Sequence, residues 1–116
     1  MVVMRIVANI HASDLESAKR FYTQVFGLKI VMDHGWIVTF ASEVRAVAQL
    51  SVATEGGSGT AVPDLSIEVD DLDDVHSRIL AAGVPLEYGP VEEPWGVRRF
   101  YVRDPLGRLL NILSHR

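Results

Sequence analysis

Three aromatic side chains stand where a small molecule could meet them. Trp36 and Phe40 are four positions apart, and Trp95 lies in a Pro94-Trp95-Gly96 stretch. Residues four apart on an extended strand share a face, so Trp36 and Phe40 are expected side by side. Flat rings lining a recess hold planar or amphiphilic molecules by stacking and by burying apolar area. The competing account is that Trp36 packs a core or an interface. Arg98, Arg99, Arg103 and Arg108 add a local basic cluster. On a strand Arg99 and Arg103 share one face and Arg98 takes the other, so an arginine can meet an anionic ligand group unless surface acids claim it.

Other reactive-looking residues have plainer explanations. His11, His34, His76 and His115 show no ligand-like spacing, such as i, i+4 on one helix, and read as surface or capping residues. His11 is the partial exception, because a strand would place it on the same face as Val7 and Asn9, at the rim of a recess. The run Asp70-Asp71-Leu72-Asp73-Asp74 suits the first turn of a helix, where negative charge meets the positive end of the helix dipole. Gly56-Gly57-Ser58-Gly59 lacks the P-loop lysine and does not lead a strand into a helix, so it reads as linker. No Ser-His-Asp arrangement is present, and the catalytic residues, if any, are not named by these patterns.

The elements that must position these residues follow from periodicity and turn chemistry. Residues 4–11 are rich in Ile and Val and read as a strand. Ser13-Asp14 then supplies a helix N-cap, and Leu15, Ala18, Phe21, Tyr22, Val25 and Phe26 form one apolar stripe at helical period. Gly27 closes that helix. Strands are expected over residues 29–32, 36–41 and 46–52. In the second half, residues 64–69 alternate polar and apolar as a strand, and Asp70-Asp71 caps a helix carrying Leu72, Val75, Ile79 and Leu80. Gly83 ends it. Strands at 86–88, 97–103 and 109–113 complete the chain, the last two joined by the turn Asp104-Pro105-Leu106-Gly107.

The two halves therefore repeat one β-α-β-β-β pattern, opened by Asp14-Leu15 in one and Asp71-Leu72 in the other. The expected architecture is α+β: two βαβββ modules forming a cup-shaped mixed sheet with helices on the outer face. The domain is single, with module one at about 1–53, a linker at about 54–62 and module two at about 63–116. Its 116 residues allow a real core, and 48% hydrophobic with 22% charged residues argues against disorder. The absence of cysteine excludes disulfide scaffolds, thiolate metal sites and cysteine nucleophiles. A net charge of −4 speaks against nucleic acid as a partner. No stretch reaches the length of a membrane span, and no targeting signal stands out, so a cytoplasmic location is expected.

The residues Ser13-Asp14-Leu15-Glu16-Ser17-Ala18-Lys19-Arg20-Phe21-Tyr22, followed by Phe26-Gly27-Leu28, resemble the first-helix signature of the vicinal oxygen chelate superfamily. Pro94-Trp95-Gly96-Val97-Arg98-Arg99-Phe100, followed by Asp104-Pro105-Leu106-Gly107-Arg108-Leu109-Leu110-Asn111-Ile112, resembles its C-terminal signature. That superfamily contains glyoxalase I, extradiol dioxygenases, fosfomycin-resistance enzymes and bleomycin-resistance-type binding proteins. In its catalytic members the resemblance implies four His, Glu or Gln metal ligands, which fall here on Val7, Gln49, Asp64 and Asn111. Val7 has no donor atom, and Asn111 offers a neutral amide oxygen where Glu is usual. Such a set suits first-row metals poorly, so neither metal nor cofactor is expected.

The function these features point to is metal-independent binding of an aromatic or amphiphilic small molecule, as in the bleomycin-resistance type. The expected ligand-binding set is Asn9, Trp36, Phe40, Gln49, Asp64, Trp95, Arg99 and Asn111; in binding members of the superfamily an aromatic on the Trp95 loop approaches the ligand. A homodimer is expected, because a cup built from so short a chain leaves open edges. Two alternatives stay open: a metal-dependent lyase or dioxygenase, and a metal-free isomerase or lyase using a cup carboxylate such as Asp64 or Glu68.

Overall fold

The computed structural model describes residues 7–8, 10–44 and 51–115. Helix α1 (Leu15–Gln24) begins where Asp14 turns its carboxylate onto the N–H groups of Glu16 and Ser17, at 3.1 and 3.2 Å. Helix α2 (Leu72–Ala81) begins the same way, Asp71 accepting from the Asp74 N–H at 3.0 Å. These side-chain oxygens satisfy first-turn donors that have no partner within the helix. Both helices end at a glycine of positive φ, Gly27 and Gly83, as their spacing predicts.

The strands form two sheets. Strands β1 (Lys29–Asp33) and β2 (Val38–Ala41) pair antiparallel. Strands β3 (Leu65–Glu68), β4 (Leu86–Glu92), β5 (Val97–Arg103) and β6 (Leu109–His115) form a mixed sheet in the order β3-β6-β5-β4. In it β3 runs parallel to β6, while β5 is antiparallel to both neighbours. The fold is thus α+β with sheets of mixed strand orientation, and module two shows its β-α-β-β-β order in full.

Register decides what each face of the larger sheet carries. Phe100 pairs with Ile112, Val102 with Leu110, and Leu65 with Leu110, and these residues point toward the helices. Phe100, Val102, Leu110 and Ile112 are completely buried against Ala18, Phe21, Tyr22 and Val25 of the first helical segment and Leu72, Val75 and Ile79 of α2. Burying each such side chain stabilises by about 1.5–3 kcal/mol relative to exposure. Both helices therefore cover one face. The opposite face carries Arg99, Tyr101, Asn111 and Ser66. A buried long-range bond ties the halves together: the Tyr22 hydroxyl donates to Asp104 Oδ2 at 2.6 Å.

Several boundaries differ from those the sequence predicts. Residues 4–6, 9 and 46–50 of two expected strands lie outside the described residues. Val7, Ala8, Ile10, His11, Ser51 and Val52, from the same expected strands, have no strand conformation. Trp36 is not in a strand but in the turn between β1 and β2. Asp33 Oδ1 takes the Gly35 N–H at 2.9 Å and the His34 N–H reaches the Ile37 carbonyl at 3.0 Å, so pairing resumes only at Val38. Trp36 and Phe40 therefore do not share a strand face, contrary to expectation. Strand β4 runs four residues past its expected end, to Glu92. Pro90 is tolerated there because β4 is an edge strand, where the missing N–H breaks no ladder bond.

Candidate functional site

An apolar recess lies beside the edge strand of the main sheet. A cavity of about 740 Å³ opens between Leu15, Ala18 and Tyr22 of α1, the segment from Trp36 to Phe40, and Leu65 and Ile67 of β3. Leu28, Leu106 and the stretch Val7, Ala8, Ile10, His11 and Ala12 complete its wall. Its size suits a small organic molecule, for which pockets of about 300–1,000 Å³ are usual. The lining is apolar apart from His11, Thr39 and Tyr22, and the Tyr22 hydroxyl is already committed to Asp104. Trp36 is 78% exposed at this cavity, an unusual state for so large an apolar ring. Phe40 lies deeper, its ring 5.4 Å from that of Tyr22.

A smaller recess of about 170 Å³ adjoins it and shares Ala8, Ile10 and Leu65 with it. Asp64 and Arg108 are its polar walls. Asp64 turns one carboxylate oxygen, Oδ2, back onto the Leu109 N–H at 2.8 Å.

Trp95 and Arg99 belong to a different place, the helix-free face of β4 and β5. There Arg99, only 3% exposed, lies against three rings: its guanidinium carbon is 5.0 Å from the centroids of Trp95 and Tyr101 and 5.5 Å from that of Tyr88. Cation–π attraction of this kind gains strength when water is excluded. Glu93, 2% exposed, faces Arg99 at 3.7 Å and accepts from Tyr88 at 2.5 Å and from Ser58. The bonds from Ser58 and Tyr88 hold the Glu93 carboxyl below its ordinary range, against the opposing effect of burial, and Arg99 adds to them.

The segment expected as a plain linker is fastened over this cluster. Residues 56–60 form a turn closed by the Gly56 N–H on the Thr60 carbonyl at 2.9 Å. The Gly56 and Gly57 carbonyls accept from Arg99 at 2.8 and 3.3 Å. A side chain at Gly57 would meet the Trp95 ring at 2.7 Å, and its φ of +87° is one that only glycine adopts freely. Of the remaining arginines in the cluster, Arg98 pairs with Asp73 at 2.7 Å and Arg103 with Glu87 at 2.5 Å.

The sequence-predicted set is therefore divided. Trp36 and Phe40 meet at the large cavity, Asp64 stands at the small one, and Trp95 and Arg99 form the aromatic–arginine cluster. Asn111 is 8% exposed on the helix-free face, where its Nδ2 donates to Ser66 at 3.1 Å and its buried Oδ1 has no partner among the described residues. Asn9 and Gln49 lie outside the described residues. Sequence reasoning assigned Leu15, Ala18 and Tyr22 to the helical stripe alone, since nothing in a stripe separates core positions from cavity walls. Tyr88, Glu93 and Tyr101 escape it as well, because strand register brings them onto Arg99 and the 56–61 segment, far off in sequence, folds over them.

A metal centre of the kind the superfamily implies is not made by these residues. Val7 has no donor, Asp64 commits an oxygen to the Leu109 N–H, and Asn111 is a neutral amide tied to Ser66. Among the described residues, no three His, Asp or Glu side chains gather as a candidate ion site. First-row ions prefer imidazole and carboxylate donors together.

A β-α-β-β-β unit with both helices on one face of a mixed sheet, beside an apolar cavity, defines the glyoxalase fold class. The chain matches the model of the Glyoxalase/Bleomycin resistance protein/Dioxygenase superfamily over residues 5–112 and belongs to that superfamily. It is 30% identical over 112 residues to virulence protein STM3117 of Salmonella typhimurium, covering 89% of this chain and 78% of that protein. Among solved structures it is similar to TnmS3, an antibiotic binding protein from Streptomyces sp. CB03234, with a TM-score of 0.71 and 25% identity, covering 100% of this chain and 97% of that one. It is also similar to a lactoylglutathione lyase from Agrobacterium tumefaciens, with a TM-score of 0.66 and 26% identity over 97% and 92% of the two chains. Among the described residues no helix is long and apolar enough to cross a membrane.

Proposed function

We propose that the chain is a metal-independent binding protein of the bleomycin-resistance type, holding an aromatic or amphiphilic small molecule. The observation that carries this reading is the apolar cavity of about 740 Å³ with the exposed Trp36 ring at its wall. A ligand sliding under Trp36 against Phe40 would bury apolar area that is otherwise wet, which is the main source of affinity in such pockets. The poor donor chemistry at Val7, Asp64 and Asn111 supports a binding role over metal-dependent chemistry, and the likeness to an antibiotic binding protein agrees with it.

The same reading takes the chain as a cytoplasmic homodimer. Ile30 and Val31 of β1 are 41% and 60% exposed, an apolar strand surface that a second copy would cover. In that assembly the half-exposed Trp95 ring and Asp64 would face a partner module, while Arg99 and Asn111 stay buried behind them.

Fluorescence titration with 1-anilinonaphthalene-8-sulfonate tests the proposal, near-UV circular dichroism confirming a packed fold. Saturable binding is expected, undiminished after dialysis against EDTA. Trp36→Ala should weaken it about tenfold, the loss of stacking plus covered area. Binding that needs a divalent ion, or that ignores the Trp36 substitution, would overturn the reading.

A further inference from the structure

Arg108 lines the smaller recess, which shares walls with the larger one, and among the described residues it has no counter-ion. Its backbone is fixed by the turn after β5: its N–H donates to Asp104 Oδ1 at 2.9 Å and its carbonyl accepts from the Asp104 N–H at 3.0 Å. That turn also supplies Leu106 to the large cavity, while Arg108 itself lines the small one. Among the described residues its guanidinium has no hydrogen bond or ion pair, and its Nε is shut away from solvent unpaired. Arg78, Arg98, Arg99 and Arg103 all have acidic partners. A guanidinium that is partly shut away from solvent and lacks an ion-pair partner is costly to bury, and a ligand that brings an anionic acceptor to its accessible N–H groups relieves that cost.

From this arrangement we infer that Arg108 is the head-group site of the pocket, and that the natural ligand is an amphiphilic carboxylate. The inference rests on the large cavity taking an apolar body and deepens that reading. The apolar part fills the space under Trp36, and the carboxylate extends past Leu65 into the smaller recess to meet Arg108. Asp64 shapes the head group further. The residue lines the same recess; its Oδ2 is held by the Leu109 N–H, and its Oδ1 has no partner among the described residues. A bare dianion would be repelled there, whereas a carboxylate with an N–H on the neighbouring carbon can bond to both walls. The class that fits is an N-substituted amino acid or a carboxylate of like pattern.

The test compares N-dansyl-phenylalanine with its methyl ester, which keeps the apolar body and the N–H but loses the charge. Dansyl emission on titration into the full chain reports both affinities. The acid should bind about tenfold more tightly than the ester, the usual worth of a charge-assisted hydrogen bond. Arg108→Gln should bring the acid down to the level of the ester, while Arg108→Lys keeps a preference. On the unmodified protein, added salt should narrow the gap between the two ligands, a readout that needs no variant. Saturable binding of acid and ester with equal affinity would overturn the head-group site and leave the apolar pocket standing. A preference that survives Arg108→Gln would place the charge recognition elsewhere. Absence of binding by either ligand would overturn both readings.

Discussion

Replacing Tyr22 by Phe removes one oxygen atom and tests how the two halves are joined. Tyr22 is 8% exposed and Asp104 5% exposed, and the hydroxyl is the donor to Asp104 Oδ2 at 2.6 Å. The other carboxylate oxygen of Asp104 takes the N–H groups of Leu106 and Arg108, each at 2.9 Å. In Tyr22→Phe the ring still packs against Phe21 and Phe40, but Oδ2 of a buried carboxylate loses its donor. Hydrogen bonds to charged groups contribute about 1.5–3 kcal/mol, so a loss of about 2 kcal/mol is expected at pH 7. For a chain of this size that lowers Tm by roughly 8 °C.

The pH dependence makes this prediction sharper. Burial, with help from Asp104, holds the Tyr22 phenol well above its ordinary value of 10.0. A group whose pKa is raised by folding contributes stability that is full below the unfolded pKa and is lost above it. Above pH 10 the unfolded chain releases a proton that the folded chain keeps. The wild type should then lose about 1.4 kcal/mol by about pH 11, a loss the Phe variant cannot share. The gap between the two proteins should shrink from about 2 to roughly 0.6 kcal/mol. Urea unfolding followed by far-UV circular dichroism at the two pH values measures it. A variant within about 0.5 kcal/mol of wild type at pH 7 would refute the argument, as would a gap that does not narrow.

Two further changes probe the cluster around Arg99. Gly57→Ala forces an L-residue into positive φ and drives its Cβ toward the Trp95 ring, so a destabilisation of about 1–3 kcal/mol is expected, with a changed near-UV Trp signal; an unaltered Tm would contradict the described turn. Glu93→Gln removes a carboxylate whose pKa is depressed in the folded state, and a depressed group lends stability above its unfolded pKa that is lost as pH falls. The wild-type urea midpoint should therefore drop between about pH 5 and pH 3, while that of the variant changes less over the same range. Parallel acid limbs for the two proteins would show that Glu93 is not the group involved.

The helices and the second module are legible because local chemistry announces them. Asp14 and Asp71 can do little else but cap, and Gly27 and Gly83 sit where a left-handed residue is needed. Strands β5 and β6 flank a turn whose Asp104 makes the bonds its type suggests. The site is less legible. Trp36 leaves the strand because Asp33 and Gly35 tighten the turn before it, a competition that alternation does not reveal. Tyr22 reads as one more apolar stripe position, although its hydroxyl serves a partner 82 residues away. The bonds of Gly56 and Gly57 to Arg99 are made by backbone carbonyls, so residue identity marks a turn there but not what its carbonyls meet. Arg108 looks like any turn-flanking arginine until its neighbours in space are known.

The turn over Arg99 has a consequence for how this chain can be taken apart. The repeat in the sequence suggests two halves separable anywhere between residues 54 and 62. A fragment beginning at Pro63 would lack both glycine carbonyls that accept from Arg99 and the Ser58 hydroxyl that donates to Glu93. It would strip a buried cation and a buried anion of part of their hydrogen bonds at once, leaving them Tyr101, Tyr88 and each other. The seam between the duplicated halves has been absorbed into one of them, and the smallest piece that keeps the second half whole starts upstream of Gly56.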